Sequence, residues 1–308
     1  MSTRGTPSLP RFAYPVGLRQ SHAVDSGIGP SGDVRHHTMD ISQPVARTAF
    51  YCCVIRADDA VSPRPICGDT FAARFVDEAV RSDLAPMLRL RNPAAGNVAR
   101  HRLIDDLVRA QLATNPNRRI VLLGAGFDTR AFRLLGGRWF ELDDPQLLAF
   151  KETRLPAAQA ANPLVRIPVT FANDRPERYL ADLADTDDAL VILEGVSMYL
   201  SDETLGALAR ALIHALPRAT LVCDLMTPRF ASTFSRQLRT ALEGLGAAFG
   251  VRTSHPRLPI EAAGYHVRAV HSIVEFGRQK GRVNIPAWVL NTVLRSLRDG
   301  YCVWVFAP

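Results

Sequence analysis

The chain has 308 residues, 47% of them hydrophobic, which is enough for a sizeable core in one large domain. No apolar run approaches the roughly 18 residues that a membrane span needs, so a membrane partner is not expected. The net charge of +7 comes almost wholly from arginine, and the arginines are scattered with no run of like charges, which argues against a nucleic-acid surface.

Residues 1–38 are dominated by Ser, Gly, Pro, Arg and His and show no hydrophobic periodicity. They are expected as a disordered tail. They contain no apolar stretch of the signal-peptide kind. His36-His37 reads as a solvated pair and not as a metal site, because no further ligand lies nearby. Met39 heads the rest, a single domain over 39–308, and is an alternative start, with 1–38 then an over-extended frame or a disordered arm.

The spacing of Val45, Ala49, Cys52, Cys53 and Ala60 predicts a helix over 44–60, with Pro44 tolerated in its first turn. Asp69 is placed to cap a helix over about 70–80. Val98, Leu103, Ile104, Leu107, Val108 and Leu112 predict another over about 97–113, ended by Asn115-Pro116-Asn117. Strand and helix then alternate. Strands are expected near 119–123, 138–142, 165–171, 188–193, 219–225, 265–271 and 302–306. Helices are expected over about 145–156, 176–184, 202–216 (capped by Asp202 and closed by Pro217) and 286–298, with a helix-rich insert at 229–250. This pattern predicts a doubly wound α/β fold, a mainly parallel seven-stranded sheet with a helical N-terminal extension. Five cysteines (52, 53, 67, 223 and 302) are odd in number and form no Cys-x-x-Cys. Free buried thiols in a reducing cytoplasm are the expectation, without a zinc site.

The segment from Ile120 to Arg130 is the most informative. Four apolar residues suit a buried parallel strand, and Gly124-Ala125-Gly126 lets the backbone turn tightly against a ligand. A nucleotide site opens in this way in a doubly wound fold. Thr129 stands where the third glycine of the dinucleotide fingerprint would fall. That argues against a pyrophosphate, and so against a nicotinamide dehydrogenase. It favours a nucleoside without phosphates, with S-adenosylmethionine (SAM) the obvious choice.

The segment Val121–Leu134, VLLGAGFDTRAFRL, resembles the leucine carboxyl methyltransferase-like family, which includes bacterial polyketide O-methyltransferases. Phe140-Glu141-Leu142-Asp143-Asp144-Pro145 resembles its F-E-x-D-x-P, and Glu194 to Leu200 its E-G-V-x-x-Y-L. Ala99-Arg100 with Asp105 is similar to its A-R-T-x-x-x-D helix, and Thr48-Ala49, Arg56-Ala57 and Asp69 to its N-terminal segment. The resemblance implies a class I SAM-dependent methyltransferase acting on an oxygen, with a small-molecule methyl acceptor.

The site expected from these residues lies over the carboxyl ends of the strands. Asp143, 19 residues after Gly124, can accept two hydrogen bonds from ribose hydroxyls, the role the resemblance assigns it. Its other reading is a helix cap before Pro145, and Glu141 on the same strand face is the fallback. Glu194 ends a buried strand, where a carboxylate needs a partner. That partner is the SAM amine, as the resemblance implies, or an arginine. Arg100, by its family position, would grip the SAM carboxylate with a bidentate fork, with Arg56 as second candidate. At the end of strand three Thr170-Phe171 replaces the family's Asp and apolar residue at the adenine, and Asn173 or Asp174 can substitute. The resemblance puts Tyr199 beside the reacting methyl group; otherwise it packs under the next helix. The acceptor stays open among small hydroxyls, small carboxylic acids and protein C-termini. A SAM-binding module without turnover is the non-enzyme alternative. None of His255, His266 and His271 is singled out by its spacing.

Overall fold

The computed structural model describes residues 44–171, 174–181, 183, 188–244 and 254–308. The expected tail and Asn173 lie outside the described residues.

Three helices come first: α1 (Pro44–Ala60), α2 (Glu78–Leu88) and α3 (Arg91–Thr114). The alternating part follows as β1 (Arg119–Leu123), α4 (Arg130–Arg133), β2 (Arg138–Asp143), α5 (Pro145–Arg154), β3 (Leu164–Pro168), α6 (Pro176–Ala181), β4 (Ala189–Leu193) and α7 (Asp202–Ala215). It ends with β5 (Thr220–Met226), α8 (Pro228–Thr233), α9 (Arg236–Gly244), α10 (Leu258–Glu261), β6 (His266–Ser272), α11 (Ile273–Gln279), α12 (Ala287–Asn291), α13 (Arg295–Arg298) and β7 (Tyr301–Ala307).

The seven strands form one sheet in the order β3-β2-β1-β4-β5-β7-β6. β1 pairs in parallel with β2 and with β4, so strand order reverses between β1 and β4. β7 runs antiparallel to both β5 and β6. Every residue of β1 and β4 is buried, as continuous apolar strands covered on both faces require. Two apolar clusters cover the two faces, one including Phe50, Ile104, Ile120 and Trp139, the other Val121, Val191, Leu212 and Tyr265.

Some expectations need correction. Asp69 starts only a 3-10 turn (Thr70–Phe75) and makes no capping bond, because its carboxylate accepts from Arg56 and Thr129. The helix that follows is capped by Asp77, which accepts from the Val80 N–H. The cap of α7 is Ser201, not Asp202. The third strand stops at Pro168, two residues before Thr170. The helix expected over 286–298 is two short helices, and α11 was not foreseen. The five cysteines are free. No helix among the described residues is long and apolar enough to cross a membrane.

Candidate active site

A cavity of about 1450 Å³ opens over the carboxyl ends of β1 and β4, where the topology places a ligand. Its floor is the glycine turn. Gly124 and Gly126 have φ of 71° and 48°, the left-handed region that glycine enters without strain. The N–H groups of Gly124 and Ala125 both donate to the Leu142 carbonyl, tying the turn to β2. A Cβ on Gly124 would lie 2.5 Å from Val196 Cγ2, so the close approach of the loop after β4 also requires glycine there.

Asp143 lines the cavity beside this turn and is only 5% exposed. One carboxylate oxygen accepts from the Gly126 N–H, the other from the Asp144 N–H at 2.7 Å. Burial pushes its carboxyl up, against the two N–H donors. Capping of α5 falls to its neighbour Asp144, which accepts from Gln146 and Leu147. The fallback, Glu141, is fully buried and paired with Lys151 at 2.8 Å and Arg166 at 3.0 Å, and it does not line the cavity.

Arg100 and Glu194 both line the cavity, and they meet each other. Arg100 Nε donates to Glu194 Oε1 at 3.1 Å, and Nη1 donates to Asp224 and to the Tyr301 hydroxyl. Nη2 makes no hydrogen bond with the described residues and lies 3.0 Å from where a Cβ on Gly195 would sit. The fork expected to meet a carboxylate is therefore largely engaged by protein groups, with Nε and Nη1 both bonded. The second candidate, Arg56, is spent on Asp69 and on the Phe127 carbonyl.

Under the cavity lies a buried ionic network that the sequence reading missed. Arg130, fully buried, bonds Asp105, Asp128 and Glu194. Arg133 bonds Asp105 and approaches His101 Nε2 at 2.6 Å. Each ring nitrogen of His101 thus faces an arginine, Nε2 the Arg133 guanidinium and Nδ1 that of Arg130 at 3.0 Å, and Nδ1 also lies 3.2 Å from Glu194 Oε1. Burial and Arg130 push the His101 pKa down, in keeping with a neutral ring. Burial raises the Glu194 carboxyl, but Arg130, His101 and Arg100 outweigh it and hold the carboxyl well below its usual range. His101, Asp128 and Glu194 are close enough to share a metal ion, yet Arg130 already bonds both carboxylates. Its charge stands where a cation would.

Past the end of β3, only part of the set expected at the adenine reaches the cavity. Thr170 does not line the cavity; Phe171 and Asp174 do. Because β3 ends early, Thr170 lies in the turn after it. Its N–H donates to Asp174 Oδ2 at 2.8 Å, and its carbonyl accepts from the Asp174 N–H. Phe171 packs edge-on against Tyr179. Tyr199 lines the cavity from the 3-10 turn Ser197–Tyr199, hydrogen-bonded to Thr48, and burial pushes its phenol up. The far wall is apolar, with Phe230, Phe234 and Leu238 from α8 and α9, and Ile273 and Leu297.

The sheet order, the glycine turn after β1 and the acidic end of β2 define the class I methyltransferase fold. A methyltransferase from Thermobifida fusca, provisionally so named, has the same fold (TM-score 0.56, 15% identity, 87% of this chain and 96% of that one). So does a DUF574 family protein from Streptomyces avermitilis (TM-score 0.55, 13% identity, 85% and 99%). The model of the leucine carboxyl methyltransferase family matches residues 49–213, and the chain belongs to that family. A relative from Parafrankia sp. (strain EAN1pec), provisionally named a SAM-dependent methyltransferase, is 33% identical over 183 residues, 53% of this chain and 56% of its own length. TcmP of Streptomyces glaucescens, the tetracenomycin polyketide synthesis O-methyltransferase, is 28% identical over 208 residues, 66% of this chain and 73% of its own. The chain thus spans little more than half the length of the Parafrankia relative.

Proposed function

We propose that the protein is a SAM-dependent methyltransferase that transfers a methyl group to an oxygen of a small molecule, a hydroxyl or a carboxylate, in secondary metabolism such as polyketide assembly. The carrying observation is the joining of two unlike regions in one cavity. A glycine turn flanked by Asp143, Glu194 and Arg100 forms one region, and a wall of aromatic and aliphatic side chains forms the other. At about 1450 Å³ the cavity exceeds the roughly 300–1,000 Å³ usual for one small ligand, which leaves room for cofactor and acceptor together. The likeness to a polyketide O-methyltransferase supports the choice of acceptor class.

The donor set fits SAM. Asp143 would accept from the ribose hydroxyls, the glycine turn would pass under the nucleoside, and Asp174 with Phe171 would meet the adenine. Glu194 Oε2, which accepts one bond from Arg130, has capacity for the amine. Arg100 Nη2 would take the carboxylate. When bound, SAM supplies an electrophilic methyl group on a sulfonium. The protein's own task is then to hold the acceptor oxygen about 3–3.5 Å from that methyl and in line with the leaving sulfur. Tyr199 would line that position as a protonated phenol.

Incubation with methyl-labelled SAM and a panel of phenols and aromatic acids tests the reading. Label should pass into an extractable product. Alkali then separates the targets, since it strips a methyl ester and spares an ether. No transfer to any acceptor, with SAM bound, would favour a binding module without turnover.

A further inference from the structure

β7 runs antiparallel beside β5, so its first residue comes level with the carboxyl ends of the parallel strands, where the site lies. Tyr301 there pairs in register with Met226, two residues past Asp224. Tyr301 and Asp224 are both buried, and together they meet the cavity's Arg100. The Tyr301 hydroxyl donates to Asp224 Oδ2 at 2.5 Å and accepts from Arg100 Nη1 at 2.6 Å. Arg100 Nη1 also donates to Asp224 Oδ2 at 3.2 Å, which closes a triangle of three groups. The other carboxylate oxygen, Asp224 Oδ1, accepts from the Gly195 N–H at 2.7 Å. Gly195 follows Glu194, so one carboxylate ties Arg100 to the loop that carries its other partner. A Cβ on Gly195 would lie 3.0 Å from Arg100 Nη2 and 3.4 Å from Cζ and Nη1, so glycine leaves the guanidinium its room.

This geometry differs from that of an ion pair built for strength alone. An arginine and a carboxylate bond most strongly as a two-bond fork. Arg100 instead gives one nitrogen to each carboxylate, Nε to Glu194 and Nη1 to Asp224. Asp224 Oδ2 lies nearer the Tyr301 hydroxyl than the guanidinium, so its charge is shared with a neutral group. Burial pushes the Tyr301 phenol well up, which keeps it a donor to Asp224. The phenol thus orients Nη1 without adding a charge of its own. An arriving anion finds the guanidinium already set in plane and direction, which lowers the cost of ordering it.

We infer that Asp224 and Tyr301 are positioning residues for the cofactor, fixing Arg100 for the carboxylate of its amino acid group. They act on the ligand through Arg100. The inference rests on the proposed function, which gives that carboxylate to Arg100.

The test is a calorimetric titration of the full chain with S-adenosylhomocysteine and with methylthioadenosine, a nucleoside thioether that lacks the amino acid group. The wild type should prefer S-adenosylhomocysteine. Tyr301→Phe keeps the ring that packs on Phe230 and removes only the hydroxyl. It should weaken S-adenosylhomocysteine about threefold to tenfold, the size of one neutral hydrogen bond, and leave methylthioadenosine unchanged. Asp224→Asn keeps the shape. Its amide oxygen is claimed by the Gly195 N–H, so its nitrogen turns toward Arg100 and Tyr301, and the same selective loss should follow. A wild type without preference, a preference that survives both substitutions, or equal loss of both ligands overturns the inference; the last would make the role structural. Failure of the proposed function looks different: the wild type then binds neither ligand, and the inference falls with it.

Discussion

Arg100 and Glu194 stand 94 residues apart in the chain and meet at 3.1 Å, Nε to Oε1, on the wall of the cavity. Each is assigned by resemblance to the opposite end of one amino acid group, the arginine to its carboxylate and the glutamate to its amine. The structure makes them partners first. The pair is a prebuilt zwitterion, complementary to a second one. Arg100 Nη1 is held by Asp224 and Tyr301 and Glu194 Oε1 lies against Arg100 and His101, while Glu194 Oε2 accepts from Arg130 and keeps room for a further donor. Fixing both groups beforehand lowers the cost of ordering them when a ligand arrives.

Arg130 is predicted to be the stability centre of the site. Its guanidinium is fully buried and bonded to three carboxylates. Arg130→Met leaves Asp105, Asp128 and Glu194 buried with too few donors. Removing one partner of a buried ion pair costs about 3–5 kcal/mol. Urea unfolding should show a loss of that size; a change below about 1 kcal/mol would mean that the network relaxes into water.

Stability should fall with acid in two stages. The folded His101 pKa is lowered, so below its ordinary value of about 6.5 the unfolded chain binds the proton first. Its contribution is present above about 6.5 and lost as pH falls toward the lowered value. Asp69, Asp105 and Glu194 are also lowered: burial raises each, and the arginines beside them outweigh it. Their contribution is present above about 4 and lost as pH falls below it. Asp143 is raised and acts in the opposite sense, losing stability as pH rises through its folded value. Urea midpoints across the range should drop first as the pH falls below about 6.5, and His101→Gln should flatten that first drop. An unchanged first drop in that variant would refute the assignment to His101.

Asp174, not Thr170, is predicted to read the adenine. Asp174→Ala should weaken SAM about tenfold or more, by the roughly 1.5–3 kcal/mol of a hydrogen bond to a charged acceptor. Thr170→Val should leave it nearly unchanged, since Thr170 holds Asp174 through its backbone N–H. The reverse order of effects would restore the threonine.

Local signals made the sheet legible. The central strands β1 and β4 are apolar runs closed by polar or turn residues, and Gly124-Ala125-Gly126, Asp143 and Glu194 stand at strand ends in the sequence itself. Long-range partners hid the rest. Asp69 looks like a cap until Arg56 and Thr129, the latter 60 residues away, claim its carboxylate. Arg130 sits inside the most telling segment of the chain, but its partners Asp105 and Glu194 lie 25 and 64 residues off. Val169, Thr170 and Phe171 have strand-like side chains, yet the Asp174 carboxylate draws the Thr170 N–H into a turn. The far wall of the cavity comes from short helices, α8, α9, α11 and α13, of four to nine residues, too brief to show a clear helical period.

The most direct test of the account is a calorimetric titration of SAM into the wild type and into Asp143→Ala, with circular dichroism confirming the fold of both. The account predicts a saturable SAM site in the wild type, weakened by about 1.5–3 kcal/mol in the variant. Heat from NAD but none from SAM in the wild type, or equal SAM affinity in the two proteins, would contradict it.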